Sequence, residues 1–223
     1  MTAVVGDILP LALGVAISPV PIIAAILMLL SPKAKGTSIG FLIGWVVGIV
    51  VAVTAFTVLS SVLPQKDADA TNPVAGTLKL VLGVLLLLLA VKQWRGRPRG
   101  DATAALPKWM SAIDTMSPAK GLGLGFLLSA VNPKNLIMSA GAGIILGSSD
   151  LDGSQVAGVI VIYTVIAAMT VAVPVLGYLV ASGRMAAPLE SLRGWLLHEN
   201  AVVMAVLLLV IGVVMIGKGV SSF

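Results

Sequence analysis

Six long runs of Val, Ile, Leu, Ala and Gly, at 8–30, 37–62, 75–94, 121–147, 155–182 and 200–221, constrain this chain more than anything else in it. A helix that crosses a bilayer needs roughly 20 mostly apolar residues, and each run supplies about that many. In hydrocarbon every backbone N–H and C=O must be satisfied within the segment, so the runs are expected to be helices. A barrel would show shorter strands of alternating polarity, which continuous apolar runs do not. Composition excludes the soluble alternative. With 58% hydrophobic and 10% charged residues among 223, and a mean hydropathy of +1.10, the chain could not hide its apolar surface from water. Soluble domains carry roughly 25% charged residues.

The charge pattern orients the runs. The connections at 31–36, 95–120 and 183–200, with their flanks, hold Lys33, Lys35, Lys92, Arg95, Arg97, Arg99, Lys108, Lys120, Arg184 and Arg193. The other side holds Lys66, Lys79 and Lys218 among Asp7, Asp67, Asp69, Asp150 and Asp152. Basic loops stay cytoplasmic. The expectation is a multi-pass membrane protein, with both termini outside and the basic loop 95–120 cytoplasmic. The net charge of +5 is thereby read as membrane topology and not as a nucleic-acid surface. Trp94, Trp109 and Trp195 fall near the basic side, where an aromatic belt would place them. In the long loop, Leu106, Trp109, Met110 and Ile113 have i, i+3, i+4, i+7 spacing, which predicts a short interfacial helix. Arg95, Arg97, Arg99 and Trp109 are the expected lipid-headgroup anchors. The first residues hold no Lys or Arg, so a cleaved signal peptide is not expected.

Two of the runs are interrupted. Ser18-Pro19-Val20-Pro21 breaks the first and Asn132-Pro133-Lys134-Asn135 the fourth. Proline removes a backbone donor and clashes with the preceding turn, so each helix should kink or unwind there. Leu13-Gly14, Ser18 and Val20 recur as Leu124-Gly125, Ser129 and Val131, at a constant offset of 111 residues (124 − 13). Each break opens a group of three runs, and three is odd, so the second group would lie inverted in the membrane. The expected fold class is an all-α membrane protein with six transmembrane helices as two inverted three-helix repeats, helices 1 and 4 broken near the midplane. The division is 1–94, the basic loop 95–120, and 121–223. The plainer alternative is that Pro and Gly are simply frequent in membrane helices.

Lys134 lies roughly 20 Å along its helix from Lys120, at 1.5 Å per residue, and therefore deep in the bilayer. A lysine there costs at least ~2.5–3.5 kcal/mol on insertion scales and normally faces the bundle interior. No Asp or Glu sits in the middle of any run to pair with it. An unpaired cation beside a half-helix N-terminus suits an anionic group. Alternatively, Lys134 caps the broken half-helix by bonding freed carbonyls, and the two roles can coexist. Asn132 and Asn135 are expected to add hydrogen bonds, Ser18 and Ser129 to line the opposite wall, and Pro19, Pro21 and Pro133 to hold the breaks open.

At these residues the chain resembles a known family. The Ser18-Pro19-Val20-Pro21 break, the Ser31-Pro32-Lys33 turn leading into Gly40-Phe41-Leu42-Ile43-Gly44-Trp45, and Ala130-Val131-Asn132-Pro133-Lys134-Asn135 resemble the GAP family. Those are the glycopeptidolipid- and sulfolipid-addressing, Sap-like proteins of the lysine-exporter (LysE) superfamily. The likeness covers nearly the whole chain and implies export of a cell-envelope (glyco)lipid or lipid-linked anion across the plasma (inner) membrane by a transporter or flippase. Other branches export amino acids or cadmium, so an amino-acid-like solute exporter is the alternative, and a non-transporting scaffold for lipid export is another. A metal site is not expected: there is no cysteine, and the one histidine, His198, stands at a loop end. Partners expected are membrane lipids or a glycolipid, with a homodimer and a lipid-synthesis or export complex as open alternatives. No enzyme activity and no cofactor are expected, since the chain has no Walker motif, metal-ligand spacing or nucleophile elbow. Gly121-Leu122-Gly123-Leu124-Gly125 is read as helix packing.

Overall fold

Backbone chemistry in a nonpolar solvent leaves helix as the outcome for these runs, and helix is what forms. The structure, a computed structural model, describes residues 1–62, 73–97, 112–113 and 115–222. Its elements are α1 (Thr2–Ala16), α2 (Pro19–Leu29), α3 (Ala34–Ser61), α4 (Pro73–Arg95), α5 (Pro118–Ala130), α6 (Pro133–Gly147) and α7 (Gly153–Val220), with no strand among the described residues. α3, α4 and α7 are each long and apolar enough to cross a membrane, and α1 with α2 makes a fourth crossing if the bent pair counts as one. Leu59, Val161, Val165 and Val173 are each about 60% exposed on outer faces, as side chains that meet lipid should be. The chain is a multi-pass α-helical membrane protein.

One expected connection is corrected. The stretch 183–200, read from sequence as a loop, is helical within α7. Leu189 and Leu196, seven residues apart, are buried while Arg184, Glu190 and Trp195 are exposed, so this stretch is an amphipathic helix whose polar face hides it among loop-like residues. The turn is confined to Ala181, where φ −139° and ψ 48° leave the helical region. α7 doubles back there. A straight helix would separate Gly158 from Lys218 by about 90 Å. Yet a Cβ on Gly158 would touch Met1, and Lys218 bonds Asp7, so both ends of α7 lie beside α1's first turns.

Interhelix contacts fix the directions. Gly40 meets Pro118, Gly48 meets Phe126, and Gly147 meets Ser60, so α5 and α6 run parallel to α3. Gly14 meets Met138 and Gly141 meets Leu11, so α1 runs antiparallel to α6. Leu80 meets Gly219 and Leu87 meets Gly212, so α4 runs antiparallel to the last part of α7. The α3–α5 seam needs glycine: a Cβ on Gly44 would lie 1.9 Å from the Leu122 carbonyl oxygen, and one on Gly125 2.2 Å from that of Phe41. With no hydrophobic drive between helices in lipid, close backbone approach supplies the dispersion contact that holds them. Phe41, Trp45, Tyr163, Met138 and Met215 fill the centre.

Candidate functional site at the two helix breaks

α1 ends and α2 begins at Ile17-Ser18, and the two axes meet at 51°. Pro19 takes the first position of α2, where its fixed φ starts a helix and its missing N–H costs nothing. The cost falls on α1. In a continuous helix the carbonyls of Val15 and Ile17 would accept from the N–H groups of residues 19 and 21, and both are proline without an N–H. The Ser18 N–H turns away to the Ala16 carbonyl (2.9 Å), which strips Gly14 as well. The end of α1 therefore presents bare carbonyls in the protein interior.

The second break repairs the first. Lys134 Nζ donates to the carbonyl oxygens of Gly14 at 2.6 Å and of Ile17 at 3.3 Å. From α7, Thr170 Oγ1 donates to the Ala16 carbonyl at 2.5 Å. α5 and α6 meet at Val131-Asn132, with Pro133 again in the first turn. Asn132 Oδ1 accepts from the Lys134 N–H (3.0 Å), the usual helix N-cap. Asn135 Nδ2 donates to the Leu128 carbonyl (3.0 Å), which the extended Asn132 no longer reaches. The capping alternative for Lys134 thus holds in altered form, because the half-helix it caps is α1 and not its own.

Beside the repaired breaks lies a cavity of about 260 Å³. Ser18, Lys92, Gln93, Asn132, Lys134 and Asn200 supply its polar lining, with Pro19 and Pro133 at the breaks. Leu89, Met204 and Leu208 close its apolar side. An ammonium has three donors, and two of Lys134's are engaged by α1, so one is left for the cavity. Among the described residues lining it none is acidic.

Not every expected residue comes here. Ser129, expected on the wall opposite Lys134, back-bonds to the Gly125 and Phe126 carbonyls (both 3.0 Å) against Gly48 of α3 and is not in the lining. Asn135 is buried behind the break, and Pro21 sits within α2. Arg95 ends α4 and Arg97 lies two residues past it: Arg97 stacks its guanidinium 3.9 Å above the Trp94 ring, and Arg95 lines an apolar groove with Trp94. Arg99, Trp109, Leu106 and Met110 lie outside the described residues, while Ile113 is buried in the core. Lys92, Gln93 and Asn200 are the additions. Sequence reading counts Lys92 as loop charge and places Asn200 in a connection. Its missed signal is that Lys92 and Gln93 precede the end of α4 by less than a turn.

Fold and site together define a multi-pass helical membrane protein that keeps a cationic, hydrogen-bonding cavity at a pair of helix breaks. A family model described as Sap, sulfolipid-1-addressing protein, matches residues 8–221. The chain belongs to that family, the one its break motifs resemble. Comparison with curated proteins and with solved structures finds no match.

Proposed function

We propose that this protein translocates an anionic, lipid-linked substrate of the cell envelope across the plasma membrane, without catalysing a covalent step. The observation that carries the reading is the cavity: two lysines, Lys92 and Lys134, three amide side chains and no carboxylate among its described lining residues. A sulfate, phosphate or carboxylate head finds cations and donors there. A zwitterionic amino acid would find no carboxylate among the described lining residues to pair its ammonium, which disfavours the small-solute alternative. A scaffold has no need of a buried lysine beside a cavity. The family's description, which names sulfolipid addressing, agrees with a lipid cargo.

In this reading the chain crosses six times, α5 with α6 as one broken span and α7 as two spans folded at Ala181. The groups 1–94 and 121–223 are inverted repeats, with both termini outside and the basic ends cytoplasmic. The parallel course of α3 and α5–α6 and the antiparallel course of α1 and α6 support that arrangement. The cavity reaches the last turns of α4, so substrate is loaded from the basic side.

The test is reconstitution into vesicles holding a headgroup-labelled fluorescent anionic lipid, with accessibility to a membrane-impermeant quencher scored on each leaflet. Faster exchange than in protein-free vesicles, reduced at least tenfold by Lys134→Met, is expected. Exchange no faster than in protein-free vesicles rejects translocation.

A further inference from the structure

A cavity of about 260 Å³ holds a headgroup and not a lipid, so a lipid-linked substrate must leave its chains elsewhere. Beside the cavity runs a groove of about 530 Å³ between α1 and α7, open on the lipid-facing surface. Its walls are apolar: Pro10 and Leu13 on α1, and Val203, Val206 and Val210 on α7. The groove extends from Pro10 to Ile17 at the end of α1 and from Val202 to Ile211 on α7, about 10–13 Å at 1.5 Å per residue.

The two spaces share their partition. Ile17 lines the groove and the next residue, Ser18, lines the cavity. On α7, Val203 and Leu207 line the groove while their neighbours Met204 and Leu208 line the cavity. The partition on one side is therefore the α1–α2 break itself. There the backbone has no helical ladder, and Lys134 holds the carbonyl of Ile17, the same residue whose side chain faces the groove. A head bonded to the free donor of Lys134 lies one residue from hydrocarbon.

We infer that the groove between α1 and the final limb of α7 is the acyl-chain site, and that the substrate passes sideways from the bilayer into the cavity across the Ile17-Ser18 break. The occupant is one alkyl chain of an anionic amphiphile whose head sits at Lys134. Lipid tails are as apolar as the groove, so the groove gains little affinity from the chain. Its role is to keep the chain in hydrocarbon while the head is enclosed. This inference rests on the translocation reading and deepens it.

Leu13 and Val206 are 44% and 53% exposed, so tryptophan there fills the groove without entering the core. Val58 and Leu59 of α3, each 59% exposed, are control positions on another lipid-facing surface. In the vesicle assay Leu13→Trp and Val206→Trp are expected to slow exchange at least fivefold, and Val58→Trp and Leu59→Trp to leave it unchanged. Wild-type rates in both groove variants overturn the inference while the translocation reading stands. A second arm does not depend on turnover: an anionic phospholipid with a diazirine in its acyl chain is photolysed with the protein and adducts are mapped. Adducts concentrated on Leu13, Val206 and Val210, and lost in Lys134→Met, support the chain site. Equal labelling of the groove and α3, or equal labelling by a zwitterionic lipid with the same chains, shows ordinary annular lipid and overturns it.

Discussion

Replacing Lys134 with methionine keeps the length and helix propensity of the side chain and removes its donors. Two hydrogen bonds to α1 disappear, to Gly14 at 2.6 Å and Ile17 at 3.3 Å. At ~1.5–3 kcal/mol for a bond to a charged group, that is a loss of about 3–6 kcal/mol. Against it stands the burial of the ammonium at depth, at least ~2.5–3.5 kcal/mol, which methionine relieves. The difference is a destabilisation of roughly 0–3 kcal/mol, too small to prevent insertion or folding. Reversible unfolding in mixed micelles measures it directly, and the vesicle assay on the same preparation reads transport, expected to fall at least tenfold. A gain in stability above about 1 kcal/mol with transport unchanged would refute the reasoning, because the α1 carbonyls would then need no lysine and the substrate no cation.

Other consequences are open to direct measurement. Gly44→Ala sets a methyl group where the Leu122 carbonyl oxygen stands, so the α3–α5 seam must open, at a cost of about 1–3 kcal/mol or more by the same unfolding assay. Cysteines replacing Asp7 and Lys218 are expected to be bridged by a bifunctional thiol reagent of about lysine length, since those side chains form an ion pair across the ends of α1 and α7; no bridging by such a reagent would deny that α7 folds back. At the start of α7 the Asp152 carboxylate accepts from the Ser154 hydroxyl (2.6 Å) and the Gln155 N–H (2.9 Å) and is held below the usual carboxylate range. A depressed folded-state value means the cap contributes above the unfolded pKa and loses its contribution as pH falls through the lower, folded one. Protection of the Ser154–Val156 amides against exchange, relative to their intrinsic rates, should fall there, and Asp152→Ala should show the same reduced protection at neutral pH. Cysteine at Ser149 is expected to react with an impermeant reagent from outside the cell, and cysteine at Ala104, outside the described residues, from inside only; the reverse would overturn the orientation.

How far the sequence could be read follows from the range of the forces involved. Hydrophobic runs and proline act locally, so the helices and both breaks are legible, down to Pro19 and Pro133 as helix starts. The charge of Lys134 within a run also announces itself. What it bonds does not, since Gly14 and Ile17 lie 120 and 117 residues away and offer backbone atoms that every residue possesses. Asn135 shows the reverse difficulty: its amide nitrogen looks available to a ligand, yet it donates to the Leu128 carbonyl seven residues back. Residues 183–200 fail for a third reason. A helix with one wet face carries the charges of a loop, and its buried Leu189 and Leu196 are too few to read as a span.

The remaining difficulty is that Lys134 is both repair and candidate ligand, so its removal confounds the two, and Thr170 separates them. Thr170 Oγ1 closes the same helix end through the Ala16 carbonyl, but it carries no charge and does not line the cavity. Ala16 keeps a second donor, the Ser18 N–H at 2.9 Å, so Thr170→Val should cost about 1 kcal/mol. That falls within the range expected for Lys134→Met. If loosening the break were what stops transport, the two variants would lose activity in proportion to stability. If the cation is needed, Thr170→Val keeps most of its transport while Lys134→Met does not. A double variant whose stability loss departs from the sum of the two would show the caps acting on one element, and transport tracking stability across all three proteins would strike Lys134 from the substrate site.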